Sequence, residues 1–182
     1  MDLKKYFAKW KGRHKRHHEF NGYVDVLFSW LGAFTGIGLC AYLSSFWFEG
    51  RDMTLIIGSF GASAVLLYAA IRSPLAQPRN CLGGHIISAM IGVFCYKMFG
   101  AAPWMAASLA VSVSIAIMLI TDTVHPPGGA TALIAVIGSP TVHDLGYLYA
   151  VVPVGLGASI LVLVALVVNN LSSDRSYPQF WF

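Results

Sequence analysis

Two histidines lie in strongly apolar parts of the chain. His125 begins the stretch HPPGGAT (125–131), and His85 lies within GGHIISAMIGV (83–93). An ionisable side chain inside a membrane segment is a candidate functional residue, and histidine changes its charge near neutral pH. The pair therefore predicts a site that donates hydrogen bonds to a substrate or carries a proton with it. The alternatives are a helix-capping role for His125 and a bond from His85 to a neighbouring helix.

Helix-breaking residues surround His125 and recur once earlier, in GSFGAS (58–63). Proline suits the first position of a helix, and glycine lets other backbone approach closely. Both stretches therefore predict helices that begin part-way through the bilayer, where N–H groups and the positive end of the helix dipole favour an anion. The opposing interpretation is an ordinary cytoplasmic turn. The predicted substrate-binding residues are Ser59, Gly61, Ser63, His85, His125, Gly128, Gly129 and Thr131.

Three other residues near His125 are predicted to have structural or gating roles: Asp122, Pro126 and Pro127. Asp122 is expected to pair with His125 or Arg79, or to cap the helix that Pro126 begins, because an anion site does not suit an unpaired carboxylate.

The sequence predicts no metal site, no cofactor and no enzymatic activity. The three cysteines fall inside apolar runs and lack the close Cys/His spacing of a metal cluster. No zinc-protease, serine–lysine or nucleotide-binding pattern is present.

Composition indicates an integral membrane protein. Hydrophobic residues make up 57% of the 182 residues and charged residues only 11%, whereas soluble domains carry about 25% charged residues. We therefore predict an all-α, polytopic transmembrane bundle of about six segments. The segments lie near 23–48, 53–71, 81–99, 102–121, 124–138 and 146–168. The fifth is short, and if it re-enters the membrane the C-terminus moves outside.

Positive charge is concentrated at the N-terminus, where seven of the twelve Lys and Arg residues precede residue 17. Apolar residues at helical spacing among them predict a basic amphipathic segment, residues 1–20, that lies on an anionic lipid surface and does not bind nucleic acid. Residues 21–182 form the transmembrane domain. Lys and Arg near segment ends favour one side by ten to two, which predicts that both termini are cytoplasmic.

Two stretches of the chain resemble each other. Residues 61–74 read GASAVLLYAAIRSP, and residues 129–140 read GATALIAVIGSP. Three segments separate equivalent points, so the copies are expected to cross the membrane in opposite directions. This pattern predicts an inverted repeat with two broken helices, segments 1–3 against 4–6. Chance similarity between helices rich in small residues is the alternative.

Several motifs resemble the HPP family, named after its His-Pro-Pro. They cover roughly residues 20–182 and are HPPGGATAL, GSFGASAVLLY, SPLAQPRN, GGHIISAMIGV and the tail NNLSSDRSYPQFWF. Some members of that family are associated with nitrite transport in chloroplasts and cyanobacteria. The resemblance therefore implies a transporter or channel for a small inorganic anion such as nitrite, with or without a proton.

Two other functions fit a bundle of this kind: a channel for a small neutral solute, and a non-transporting membrane subunit. Helix dipoles disfavour a cation at the predicted site. Because residues 1–20 do not resemble a plastid transit peptide, we expect a bacterial inner membrane. Membrane lipids and a second copy of the chain are the remaining expected partners.

Overall fold

A computed structural model describes residues 22–47 and 58–181, so the predicted N-terminal segment lies outside the described residues. The described residues form helices and no strands, which confirms the all-α prediction. The helices are α1 (Tyr23–Trp47), α2 (Gly58–Ala64), α3 (Pro78–Phe99), α4 (Pro103–Ile120), α5 (Pro126–Ile137), α6 (Pro140–Leu145) and α7 (Leu156–Asn169).

Among the described residues, four helical stretches are long and apolar enough to cross a membrane. They are α1, α3, α4 and the stretch Pro140–Asn169, which contains α6 and α7. The stretches Gly58–Ala69 and Pro126–Ile137 are also apolar but shorter. The 12 residues of α5 extend about 18 Å, less than a hydrocarbon core of about 30 Å. The two predicted broken helices are therefore the two short ones.

Helix α3 is central and packs closely against α5. A Cβ atom at Gly92 would lie 2.5 Å from the carbonyl oxygen of Ala132, and one at Gly84 would lie 2.6 Å from the Cβ of His125. Such distances leave no room for a side chain, so these small residues allow the two backbones to approach. This contact fixes the start of α5 against the part of α3 that carries His85.

Helix α2 continues into a π-helical turn, Val65–Ala69, that has no counterpart in α5. A π turn accommodates an extra residue and disturbs the regular backbone hydrogen bonds. Polar side chains from other elements bind the carbonyl oxygens of this turn: Asn169 Nδ2 donates to Leu67 at 2.9 Å, and Ser29 Oγ donates to Tyr68 at 2.7 Å. Arg175 Nη2 also donates to Tyr68.

The C-terminal tail returns to the start of α1. Arg175 Nη1 donates to the Asp25 carbonyl at 2.9 Å and lies 3.3 Å from the Asp25 carboxylate. The tail also contacts the loop after α2, where the Tyr177 hydroxyl donates to the Ala76 carbonyl at 2.7 Å. The beginning of α1 and the tail therefore lie at the same end of the bundle.

Candidate functional site

A buried hydrogen-bonded cluster joins α2, α3 and the start of α5. Ser63 Oγ lies 2.7 Å from His85 Nε2 and 2.9 Å from His125 Nε2, so one hydroxyl bridges the two histidines. All three residues are fully buried. Phe60 also covers His85, with its ring edge-on at a centroid distance of 5.4 Å. The two histidines predicted from the sequence therefore form one site.

The cluster continues from His85 to the hydroxyls of Thr131 and Ser59. His85 Nδ1 lies 2.7 Å from Thr131 Oγ1, which in turn lies 2.8 Å from Ser59 Oγ. Both hydroxyl residues are buried. The Tyr149 hydroxyl donates to the Thr131 carbonyl at 3.3 Å and ties α5 to the segment before α7. Five of the predicted residues thus belong to one network: Ser59, Ser63, His85, His125 and Thr131.

The two short helices meet side by side in this cluster. Ser63 contacts His125, while Ser59, one turn earlier in α2, contacts Thr131, which lies further along α5. This order of contacts means that α2 and α5 run antiparallel. The sequence led us to expect two helix N-termini at a common site, with hydroxyl donors from Ser59, Ser63 and Thr131. These hydroxyl side chains make the observed contact.

The Leu75 carbonyl determines the protonation pattern of the histidines. His125 Nδ1 lies 2.8 Å from this oxygen, which can only accept, so Nδ1 carries a hydrogen. In neutral His125, Nε2 is therefore an acceptor and receives the Ser63 hydroxyl hydrogen. Ser63 has no second hydrogen, so a bond to His85 requires that His85 Nε2–H donates to Ser63. His85 Nδ1 then accepts the single hydroxyl hydrogen of Thr131, which otherwise donates to Ser59 Oγ. In this tautomer the neutral cluster is hydrogen-bonded from Leu75 to Thr131.

The same geometry also accommodates one additional proton. If His125 is protonated at both nitrogens, its Nε2–H donates to Ser63 Oγ, which then accepts from both histidines. The Ser63 hydrogen turns to the Ser59 carbonyl, 3.2 Å away in the same helix. No donor in this part of the cluster loses its acceptor. One hydroxyl rotation therefore separates two satisfied charge states of the histidine pair.

The three predicted glycines have different surroundings. A Cβ at Gly61 would meet no atom within 4 Å, and one at Gly129 would meet only Val111, at 3.9 Å. The Gly128 N–H donates to the His125 carbonyl at 2.8 Å, and a Cβ there would lie 2.8 Å from the Gly84 carbonyl oxygen. Gly128 serves helix packing, while Gly61 and Gly129 face away from the cluster.

The residues with predicted structural or gating roles lie around the start of α5. Pro126 and Pro127 occupy its first two positions, and His125 holds the N-cap position without a side-chain capping bond. Asp122 has a positive φ of 53° and an exposed side chain, 3.9 Å from Arg79 Nη1. Arg79 Nη2 also donates to the Thr121 carbonyl at 2.8 Å. Asp122 therefore belongs to a surface turn that is attached to α3.

Two participants in the cluster, Leu75 and Cys81, were not among the residues predicted from the sequence. Leu75 acts through its backbone carbonyl, which leaves no trace in residue type. Cys81 is fully buried, and its Sγ and one ring nitrogen from each of His85 and His125 all lie within 4.8 Å of one another. Its position four residues before His85 places both side chains on one face of α3, and this spacing is visible in the sequence. That His125 lies beside them is not, because it comes from a distant part of the chain.

Comparison with known proteins gives one family and two relatives. Residues 19–178 match the family model described as HPP, transmembrane region. Two transmembrane proteins of Dictyostelium discoideum are 41% and 42% identical, over 100% and 97% of this chain. The chain spans 65% and 57% of their respective lengths. No solved structure matches this chain.

Proposed function

Because this chain belongs to the HPP transmembrane family, we propose that it moves a small inorganic anion, such as nitrite, across a membrane together with a proton. The observation that carries this proposal is the His85–Ser63–His125 bridge between two short, antiparallel helices. A buried pair of histidines that stays fully hydrogen-bonded with either zero or one extra proton is suited to gaining and losing that proton.

Charge balance explains why the anion and the proton travel together. Burying an isolated ion in a low-dielectric interior is very costly, whereas an anion beside an imidazolium forms a neutral pair. The hydrogen bonds of the described residues bring no Lys or Arg side chain to the cluster, so a protonated histidine is its source of positive charge. When the anion binds, the hydroxyls of Ser59, Ser63 and Thr131 donate to it, and they give up their hydrogen bonds within the cluster.

An inverted repeat supplies the mechanism of access in this proposal. Ser63 and Thr131 occupy equivalent positions in GASA and GATA. Each hydroxyl lies near the carbonyl four residues earlier in its own helix, Ser59 at 3.2 Å and Pro127 at 3.3 Å. Ser63 and Thr131 lie on antiparallel helices, and the hydroxyl of each is hydrogen-bonded to His85. This arrangement supports a chain built from two related halves. Movement of one half against the other would expose the cluster to each side in turn.

We also propose an orientation, in which the tail and the start of α1 face the cytoplasm. The Arg175–Asp25 contact places both at one end of the bundle, and the excess of Lys and Arg favours the cytoplasmic side. The bacterial inner membrane expected from the sequence stays a prediction, since the two relatives are proteins of Dictyostelium.

Nitrite uptake by purified protein in liposomes tests the proposal. We expect uptake that rises with an inward proton gradient, and His125→Ala or His85→Gln should reduce it at least tenfold. His143→Gln is the matched control, because His143 stacks on Tyr96 outside the cluster, and it should transport like the parent.

The other candidate functions give different results in the same assay. A channel for a neutral solute would pass small uncharged molecules and ignore the proton gradient. A non-transporting subunit would show no flux above protein-free liposomes. Parent-like nitrite uptake by both cluster variants would remove the histidines from the mechanism.

A further inference from the structure

We infer that Cys81, His85 and His125 form a binding site for a thiophilic monovalent metal ion, Cu(I). Cys81 and His85 lie one turn apart on α3, and His125 enters from the turn before α5. The sulfur and one nitrogen from each imidazole lie within 4.8 Å of one another, and all three side chains have no exposed surface. The inference goes beyond the proposed transport, because it shares both histidines with the anion mechanism and adds a thiol that this mechanism does not use.

The orientation of the imidazoles supports metal binding. Both Nε2 atoms face one point, at present held by Ser63 Oγ at 2.7 and 2.9 Å. Both Nδ1 atoms face away from it, toward Thr131 Oγ1 and the Leu75 carbonyl. A metal-binding histidine usually donates its other N–H to an acceptor of this kind, which fixes the ring and its tautomer. The Leu75 carbonyl already serves His125 in this way. His85 must change to the tautomer with a hydrogen on Nδ1, which then donates to Thr131 Oγ1 while the Thr131 hydroxyl donates to Ser59 Oγ.

The distances require a moderate adjustment. Three ligand atoms about 2.0–2.3 Å from one metal ion lie about 3.5–3.7 Å apart in a trigonal site. Atoms up to 4.8 Å apart therefore need to close by about 1 Å, which side-chain rotation can supply. Ser63 Oγ then either leaves its bridging position or remains as an additional oxygen ligand.

Ligand type and charge select Cu(I). A thiolate and two imidazoles favour thiophilic ions such as Cu(I) and Zn(II). The described hydrogen bonds and ion pairs bring no carboxylate to the cluster, so the Cys81 thiolate is its one negative ligand. With Cu(I) the buried site is neutral, whereas Zn(II) leaves a net positive charge that is costly to bury. Binding replaces the S–H bond by a Cu–S bond and releases one proton, while copper remains Cu(I).

Anaerobic titration with Cu(I) and a competing chromophoric chelator tests the inference on purified protein in detergent. We expect one Cu(I) ion per chain, with affinity at least a hundredfold weaker in Cys81→Ser. Cys40→Ser and Cys95→Ser are the matched controls, since both remove buried thiols outside the cluster, and both should bind as the parent does. Equal loss in a control, or parent-like binding by Cys81→Ser, would overturn the site.

X-ray absorption on the copper-loaded parent provides a second test that does not require any variant to fold. One sulfur and two nitrogen ligands would support the site, and a shell without sulfur would refute it. Stronger binding of Zn(II) than of Cu(I) would refute the choice of metal. Loss of Cu(I) binding in Cys81→Ser with nitrite transport retained would support the site, because Cys81 is the one ligand that the anion mechanism does not share.

Discussion

The two short helices differ in how the protein holds them. Helix α5 leaves few free backbone donors at its start, because Pro126 and Pro127 have no N–H and the Gly128 N–H donates to the His125 carbonyl. Helix α5 also packs so closely against α3 that no Cβ atom would fit at Gly84 or Gly92. In α2, by contrast, added Cβ atoms at Gly58 and Gly61 would meet no atom of the described residues within 4 Å, and its close contact, Phe60 on Gly157, is with α7 and not with α5. Its far end is held by side chains that bind the carbonyls of the π turn.

This difference indicates which helix moves when the cluster opens. Separation of α5 from α3 would disrupt a close-packed interface, whereas separation of α2 from α5 breaks a few hydrogen bonds between hydroxyls and histidines. We therefore expect α5 to be the fixed part of the site and α2 the mobile part. Transport would then depend on the side chains that anchor the π turn as well as on the cluster.

We expect the largest loss of stability when the close contact between α3 and α5 is disrupted. Gly92→Val places its Cβ 2.5 Å from the Ala132 carbonyl oxygen and 2.7 Å from the Ala135 Cβ, so α5 must move. Overpacking of a tight interface costs about 1–3 kcal/mol, and a backbone contact belongs at the upper end. Thermal unfolding in detergent should show a large decrease in stability. Gly38→Val, which would meet no atom within 4 Å, is the control; equal melting of the two variants would contradict the tight interface.

A somewhat smaller loss of stability is expected when Arg175, which binds the π turn at the end of α2, is replaced. Arg175→Met removes the donors to Tyr68, Asn169 and Asp25 and leaves their acceptors buried or partly buried. The loss should amount to about 2–3 kcal/mol of unfolding free energy. Arg72→Met, an exposed arginine of the same region, should cost little. If the two variants unfold alike, the tail does not anchor α2.

The equivalent hydroxyls of α2 and α5 should differ in their effect on transport. Ser63 contacts both histidines, whereas Thr131 contacts only His85. Ser63→Ala should therefore abolish the dependence of nitrite uptake on the proton gradient, while Thr131→Val should lower the rate several-fold and keep that dependence. Uptake measured across a range of external pH separates the two outcomes. The reverse order of effects would show that Ser63 is not the bridge.

The smallest effect is expected at the two glycines that face away from the cluster. Gly61→Ala and Gly129→Ala meet no atom closer than 3.9 Å. Because alanine also favours helix, stability should stay equal to the parent or rise by up to about 1 kcal/mol. Parallel melting and uptake measurements check this. A sharp loss of transport in either variant would show that Gly61 or Gly129 takes part in anion binding.

Much of this arrangement was predictable from local sequence. Apolar runs gave helix positions to within a few residues, and His-Pro-Pro predicted the start of α5 at Pro126. The histidines and hydroxyls that meet in the cluster are polar residues in apolar surroundings, which is a signal that one sequence carries. Small residues such as Gly84 and Gly92 on one helix are also a pattern typical of close helix contacts.

Other features depend on the three-dimensional arrangement and leave no local signal. The direction in which Gly61 and Gly129 face follows from the rotation of each helix about its axis, which residue spacing alone did not determine. The Leu75 carbonyl is a backbone group. Cys81 comes near His125 only because α3 and α5 pack so closely. The side-by-side meeting of α2 and α5 is likewise a property of tertiary packing.

The driving force of uptake shows directly whether one proton accompanies each anion. Nitrite uptake is measured in liposomes under either a pH gradient without membrane potential or a potassium diffusion potential without a pH gradient, against protein-free vesicles. We expect uptake to follow the pH gradient and not to respond to the potential, because an anion and a proton together carry no net charge. Uptake that follows the potential and ignores the pH gradient would rule out coupled movement of the anion and the proton.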